Sequence, residues 1–540
     1  MAVPELTFLW NYVDHWGRVD PEFPAVNFQG KTYSSAELSA ITDQLARALL
    51  DLGVRKGDRV VTILPSNPEY VFTFIAANKI GAITVPMDVR YRITDLRRFI
   101  PQVSPKVVVS MNAAGDNDIL ASLKELSGEP GFAGITYLMT EPADFGDSFG
   151  ELLEKSYPLE EELEAAKKDQ QPHEGALIIF TGGTTGIPKA ALLSHVNVTL
   201  MCYLEEDFLS GILRGRGVTG TIKTVAALPP SHVGGTVELI GTALVGRYEM
   251  HLLERWSPLE VLQTIQDQKV QFIGGVPVTY AILVSMKELD QFDLSSVELS
   301  FLSGDKVPLE LLEGIRARIS PLVVVGYGST EAGSEVTFTD IGDDLKELAK
   351  GYVGKPLPGM ELKIVDDLGN ALPAGEEGEV LIKGPLTINN YYRMPEEDRA
   401  GFSADGYCLS GDLGYLTADG GLYIKGRKKQ IIRVGSYTVL PAEIEEVVVR
   451  HPAVSLAAAI GVPDKIYGEV VWLFVVPKEG CTVGEEEIIA LCKEQLAGYK
   501  VPKKVNLRQE IPLTRIGKAD RELLRKEVVA KIDQAPSNSQ

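Results

Sequence analysis

A chain of 540 residues is too long for one hydrophobic core, so two or more domains are expected. With 45% apolar and 24% charged residues it has the balance of a folded protein and not of a disordered one. A net charge of −21 excludes a general nucleic-acid or anionic-membrane surface, so any anion it binds must be drawn by local geometry.

Residues 33–53, YSSAELSAITDQLARALLDLG, space Ala, Leu and Ile by three and four and predict a helix closed by Gly53. DRVVTILP then reads as a short buried strand. Helix EYVFTFIAANKIG, apolar AITVPM, helix TDLRRFIPQV and strand KVVVS follow. Strands alternating with helices imply βαβ units and parallel sheets covered on both faces. After residue 175 the rhythm returns in GALIIF, TVAALPP, VQFIGGVP, ELSFLSGD and LVVVGYGS, each ending at a Gly or Pro turn. Open α/β sheets bind ligands at the carboxyl ends of their strands, where these turns fall. From about 360 short alternating runs with frequent Gly (ELKIVDD, GEVLIKG, GLYIKG) suggest a β-rich subdomain. Beyond 426 a compact α+β pattern begins, with helix PAEIEEVVVRH, strands SLAAAIGVP and VVWLFVVP, and helix EEEIIALCKEQL; the polar end APSNSQ reads as frayed. The expected fold class is α/β. A large N-terminal domain of doubly wound sheets plus a β-rich subdomain spans 1–426, and a small α+β domain spans 427–540.

Cys202, Cys408, Cys481 and Cys492 are scattered, which suits a reducing, cytoplasmic compartment. No apolar run reaches a membrane span, and MAVPELTFLWNYVD carries acidic residues where a signal peptide carries basic ones, so a soluble, untargeted protein is expected. The six His residues show no zinc-ligand spacing. The C-terminal part departs from the acidic whole: eleven Lys and Arg stand against five Asp and Glu between Lys493 and Lys531.

Residues 180–189, FTGGTTGIPK, read as a phosphate cradle in which Gly admits backbone N–H groups, Thr adds hydroxyl donors and Lys189 adds charge. It is not a Walker A loop, because Pro188 intervenes before Lys189 and Ala190 follows the lysine; the dinucleotide pattern GxGxxG is absent too. A lone Gly/Thr loop is more often a plain surface hairpin. This one has company in order along the chain: GYGSTEAG at 326–333, SGD at 410–412, GRKK at 426–429 and TRIGK at 514–518. Singly, Glu331 could be a solvated carboxylate, Asp412 a turn residue, Arg427 a surface charge and Lys518 a tail lysine. Their joint order is hard to attribute to chance.

With these motifs the sequence resembles the AMP-forming acyl-CoA synthetases of the adenylate-forming superfamily, over roughly residues 30 to 530. FTGGTTGIPK is similar to the family's flexible phosphate loop and GYGSTEAG to its Tyr-Gly-x-Thr-Glu motif. The resemblance implies activation of a carboxylate by ATP to an acyl-adenylate and pyrophosphate, then displacement of AMP by a thiol. It implies that Thr181, Gly182, Gly183, Thr184, Thr185, Gly186 and Lys189 hold the β- and γ-phosphates. Thr330 would donate to a phosphate, and Glu331 would help hold Mg²⁺. Tyr327 and Gly328 would lie against the adenine, flanked by Ser303, Gly304 and Asp305. Asp412 would accept from the ribose hydroxyls, and Arg427 would reach the ribose. Lys518 would bridge the α-phosphate and the attacking carboxylate. In LPPSHVGG, His232 would adjust the pocket between half-reactions; its bland reading is a packed core histidine.

The resemblance further implies a mobile C-terminal domain, hinged at Lys429, that presents Lys518 in one orientation and withdraws it for the thiol. An acyl tunnel is expected along VGGTVEL and FIGGVP, whose paired glycines would leave room for an apolar tail; Gly274 and Gly275 could equally serve a tight strand end. Part of the basic excess would meet the 3′-phosphate of CoA, or else form a solvated helical face. Gln430 and Gly435-Ser436 depart from the family's Asp and Gly-Gly, which weakens the assignment of the thiol more than that of adenylation. The substrates expected are ATP, CoA and a small-molecule carboxylic acid, with Mg²⁺, no nucleic acid and no stable membrane insertion; a homodimer is compatible with this. Medium- or long-chain fatty acids are the first choice, because no charged residue in the expected tunnel calls for a polar tail. An aryl or alicyclic acid is the runner-up, and an acyl-AMP ligase loading a carrier protein the rival. A non-catalytic nucleotide-binding protein is disfavoured by the retained Lys518, Glu331 and Asp412, and a kinase by the failed Walker pattern.

Overall fold

The computed structural model describes residues 6–181, 189–394, 401–427, 432–435, 437–439, 441–512, 519 and 521–533. The chain packs as two units. The first takes the described residues up to 89, from 100 to 180 and from 189 to 427; the second takes residues 90–99, Thr181 and the described residues from 432 onward.

The first unit holds two largely parallel sheets. In the seven-stranded sheet, strands Arg59–Ile63, Ile83–Pro86, Val107–Ser110, Thr136–Met139 and Gly175–Thr181 form the parallel centre. Their Val- and Ile-rich runs are buried on both faces, as a sheet flanked by helices requires. The helix expected at 33–53 is Ser35–Asp51. Ser34 caps it by accepting from the Glu37 backbone N–H, and Gly53 follows in the left-handed conformation (φ 78°).

The nine-stranded sheet positions the site. Strands Lys223–Ala226, Phe272–Gly275, Leu299–Leu302 and Leu322–Ser329 lie parallel and adjacent. Their register aligns Gly275 with Leu302 and Leu302 with Val325, so the segments that follow emerge side by side from the carboxyl edge. Strand Leu322–Ser329 runs on into an antiparallel hairpin with Ser334–Phe338. The region beyond 360 is a four-stranded antiparallel sheet of Glu361–Val365, Gly378–Lys383, Cys408–Leu416 and Leu422–Arg427.

The second unit is an α+β body. Val454–Asp464 and Gly468–Pro477 pair antiparallel at its centre, and Lys504–Leu507 joins parallel to Gly468–Pro477. Helices Pro441–Val449 and Glu485–Gln495 cover one apolar cluster and helix Arg521–Asp533 another. Among the described residues no helix is long and apolar enough to cross a membrane.

Candidate active site

Three segments gather at the carboxyl edge of the nine-stranded sheet. Beyond Ala226 the chain runs through Leu228-Pro229-Pro230 to His232, beyond Leu302 to Ser303-Gly304-Asp305, and beyond Val325 to Gly326-Tyr327-Gly328. The hairpin after Tyr327 is very tight. Gly328 faces Glu335 and Ser329 faces Ser334, and a Cβ on Gly328 would sit 1.7 Å from the Ser334 carbonyl oxygen, so only glycine fits. Thr330–Ala332 forms the single turn at the tip, with the Ser329 hydroxyl accepting from the Ala332 N–H at 3.2 Å. Thr330 and Glu331 are half-buried there.

The antiparallel sheet supplies Asp412, which is 4% exposed. The Tyr327 hydroxyl donates to Asp412 Oδ2 at 2.9 Å, and the Ser410 hydroxyl accepts from the Asp412 N–H at 3.0 Å. Arg427 stands opposite Asp412 in register on the neighbouring strand. Gly304 is in the left-handed region (φ 88°) and Asp305 is exposed beside it at the strand end. His232 is half-buried and so is not a packed core histidine. Thr181 closes strand Gly175–Thr181 and Lys189 opens strand Lys189–Ser194. Gly182, Gly183, Thr184, Thr185, Gly186 and Lys518 lie outside the described residues, as do the hinge residues Lys429 and Gln430 and the side chain of Arg427.

Tyr391 is a site residue that sequence reasoning missed. Its hydroxyl donates to Glu331 Oε1 at 3.1 Å, and the Lys189 ammonium stands 4.7 Å from its ring centroid. Burial and then the Glu331 charge hold the phenol proton on well above the ordinary range, so the hydroxyl remains a donor. The segment around it is fixed by the Ile388 N–H donating to the Glu331 carbonyl (3.0 Å), the Tyr392 N–H donating to the Ala190 carbonyl (2.7 Å), and a bridge between Ala191 and Tyr391. The only signal in the sequence was a Tyr-Tyr pair in the polar stretch TINNYY.

Two expectations need correction. The paired glycines of FIGGVP do not stand open for a tail. A Cβ on Gly274 would meet Leu239 Cδ2 at 2.8 Å, and one on Gly275 would meet Thr279 Oγ1 at 2.7 Å, so protein atoms already occupy that space. Nor is the expected tunnel free of charged residues. VGGTVEL belongs to a π-helix, Gly234–Gly241, a rare conformation frequent at functional sites, and it carries the buried Glu238. Glu238 Oε1 accepts from the Ser334 hydroxyl, next to Glu335 on the hairpin strand.

The basic C-terminal stretch divides. Arg521 and Arg525 pair with Glu445 and Glu469 at 2.6 Å each, and Arg508 pairs with Glu527 at 2.9 Å. Lys503 and Lys504 are exposed, but they lead into strand Lys504–Leu507 and do not lie on a helical face.

The chain belongs to the AMP-binding enzyme family: that family's sequence model matches residues 13–392, and the model of the AMP-binding enzyme C-terminal domain matches residues 443–518. It is similar to a long-chain-fatty-acid–CoA ligase of Bacillus subtilis (strain 168), 30% identical over 94% of this chain and 92% of the relative. It is also similar to a feruloyl-CoA synthase of Amycolatopsis sp., 29% identical over 93% and 95% of the two chains. Among solved structures, a double mutant of o-succinylbenzoate CoA synthetase from Bacillus subtilis superimposes with a TM-score of 0.79, at 25% identity over 96% of this chain and 98% of that one. The protein is an AMP-forming acid–CoA ligase, with ATP and CoA as its co-substrates.

Proposed function

We propose that the hairpin Leu322–Phe338 and Asp412 form the ATP site of this ligase, and that the carboxylic acid is activated beside them. The observation that carries this reading is the Tyr327–Asp412 hydrogen bond, which joins the residue assigned to the adenine to the one assigned to the ribose. An ionised Asp412 offers only acceptors, which suits it to ribose hydroxyls as it suits it to the Tyr327 hydroxyl.

The carboxylate oxygen attacks the α-phosphorus of ATP, the bond to the bridging oxygen breaks and pyrophosphate leaves. Thr330 donates to a phosphate oxygen, and Lys189, steadied on the Tyr391 ring, adds positive charge. Thr181, Gly182, Gly183, Thr184, Thr185 and Gly186 form the cradle for the leaving pyrophosphate. Lys518 neutralises the two anions that meet at the α-phosphorus. In the second half-reaction the thiol of CoA adds to the acyl carbonyl and AMP departs, with His232 at the mouth of the acyl site.

The residues fit Mg²⁺. Glu331 is a half-buried carboxylate with one oxygen held by the Tyr391 hydroxyl, the hard-oxygen donor that this ion takes along with substrate phosphates. When bound, the ion would neutralise phosphate charge, and Tyr391 would steady the Glu331 carboxylate that holds it.

The test is carboxylate-dependent exchange of pyrophosphate into ATP. Exchange that requires an acid and falls by orders of magnitude in Lys518→Ala supports the reading; ATP binding without acid-dependent exchange refutes it.

A further inference from the structure

Three carboxyl groups are buried together behind the Thr330–Glu331 hairpin. Glu205 comes from helix His195–Gly215, Glu238 from the π-helix Gly234–Gly241 and Glu335 from strand Ser334–Phe338, and their exposures are 0%, 5% and 4%. The Thr242 hydroxyl donates to Glu205 Oε2 at 3.0 Å, and Ser334 donates to Glu238 Oε1. Glu335 Oε2 and Glu205 Oε1 have no hydrogen-bond partner. Among the described residues, no ion pair joins any of the three to a Lys, Arg or His.

Such a cluster is costly as mere packing. Each buried polar oxygen without a partner carries a desolvation cost that apolar side chains of the same volume would avoid. Burial raises all three carboxyls above the ordinary range, and their mutual repulsion adds to this in Glu205 and Glu335.

The cluster also faces the site. Glu335 lies across the hairpin from Gly328, and its free Oε2 points at Gly326, at 2.8 Å from where a Cβ there would stand. Glu238 Oε2 lies toward Gly234, two residues past His232, at 3.6 Å from the corresponding Cβ position. A patch of buried acceptors, with one oxygen free and aimed at a substrate-binding edge, asks for donors. Among the described residues no three such groups converge as a metal cage would, so the complement is a fixed nitrogen cation.

We propose that the acid activated by this enzyme carries an ammonium or guanidinium group at the end remote from its carboxylate, and that Glu335 and Glu238 bind that cation. The inference rests on the ligase reading and names its substrate class. A buried charge pays its desolvation only when paired, so the site selects the cationic tail and rejects an alkyl tail of the same length, which leaves the acceptors unpaired.

The experiment measures pyrophosphate release by the full-length protein. Aminoalkanoates and guanidinoalkanoates of several lengths are compared with alkanoates in which a methyl group replaces the nitrogen terminus. The expected result is a kcat/KM at least about tenfold higher for the cationic member of the best pair. Glu335→Gln and Glu238→Gln should shrink that ratio, mainly through KM for the cationic acid. Equal or better turnover of alkanoates by the wild-type protein would overturn the inference and leave the ligase reading standing. Release from neither series would overturn the inference, and release with an aryl or alicyclic acid instead would leave the ligase reading standing. Because the wild-type ratio decides the matter, a variant that fails to fold does not rescue the idea.

Discussion

The hydroxyl of Tyr327 donates to Asp412 Oδ2 across 2.9 Å, tying the last turn of a parallel strand to the antiparallel sheet beyond residue 360. Two motifs 85 residues apart thereby become one surface. Asp412→Ala should raise KM for ATP roughly 10- to 100-fold, since a hydrogen bond to a charged group contributes about 1.5–3 kcal/mol. Tyr327→Phe, which leaves the buried carboxylate one donor short, should show a smaller rise in the same pyrophosphate-release assay.

Tyr391 acts through Glu331 and Lys189. Tyr391→Phe keeps the ring beneath the Lys189 ammonium but removes the donor to Glu331, so activity should fall about 10- to 100-fold at limiting Mg²⁺ and recover in part as Mg²⁺ is raised. A loss that no Mg²⁺ concentration relieves would argue against this role. Tyr391→Leu, which removes the ring as well, should lose more and recover less.

His195 gives a stability prediction. It is 1% exposed, and burial pushes its imidazole down to about 4 from the ordinary 6.5. As pH falls below 6.5 the unfolded chain takes up a proton that the folded chain refuses until about pH 4. Stability present above that window is lost across it, by roughly 3 kcal/mol in total. His195→Leu, which cannot titrate, should show a flatter dependence of melting temperature on pH over the same range.

The π-helix after His232 packs against the preceding turn at Gly235, where a Cβ would lie 2.2 Å from the Pro229 carbonyl oxygen. Gly235→Ala should destabilise the protein by about 1–3 kcal/mol and shift His232, so thermal unfolding and the thioester-forming half-reaction should suffer together. An unchanged melting temperature would mean that the turn relaxes freely.

The sheet rhythm was legible because runs such as Val60-Val61, Val107–Val109 and Val323–Val325 are short, β-branched and bounded by Gly or Pro. The turns at Ser303–Asp305 and Tyr327–Glu331 were legible because glycine and hydroxyl residues cluster at strand ends. The helix His195–Gly215 carried no clear signal, since its first half, residues 195 and 197–202, is buried on every side and offers no polar face. The π-helix was not legible because a period tuned to 3.6 residues misses it. Glu238 hid inside an apolar run, and its partners Glu205 and Glu335 lie 33 and 97 positions away. Only the fold brings them together. Tyr391 was hidden likewise, because its contact with Glu331 spans 60 residues.

The central claim is that the site couples a carboxylic acid to CoA through an acyl-adenylate. It is tested most directly by following the nucleotide products when the protein is given ATP, Mg²⁺ and a panel of carboxylic acids, with and without CoA. The account predicts acid-dependent pyrophosphate without CoA, then AMP and an acyl-CoA thioester in equal amounts once CoA is added. Formation of ADP or free phosphate, or AMP release indifferent to CoA, would contradict it.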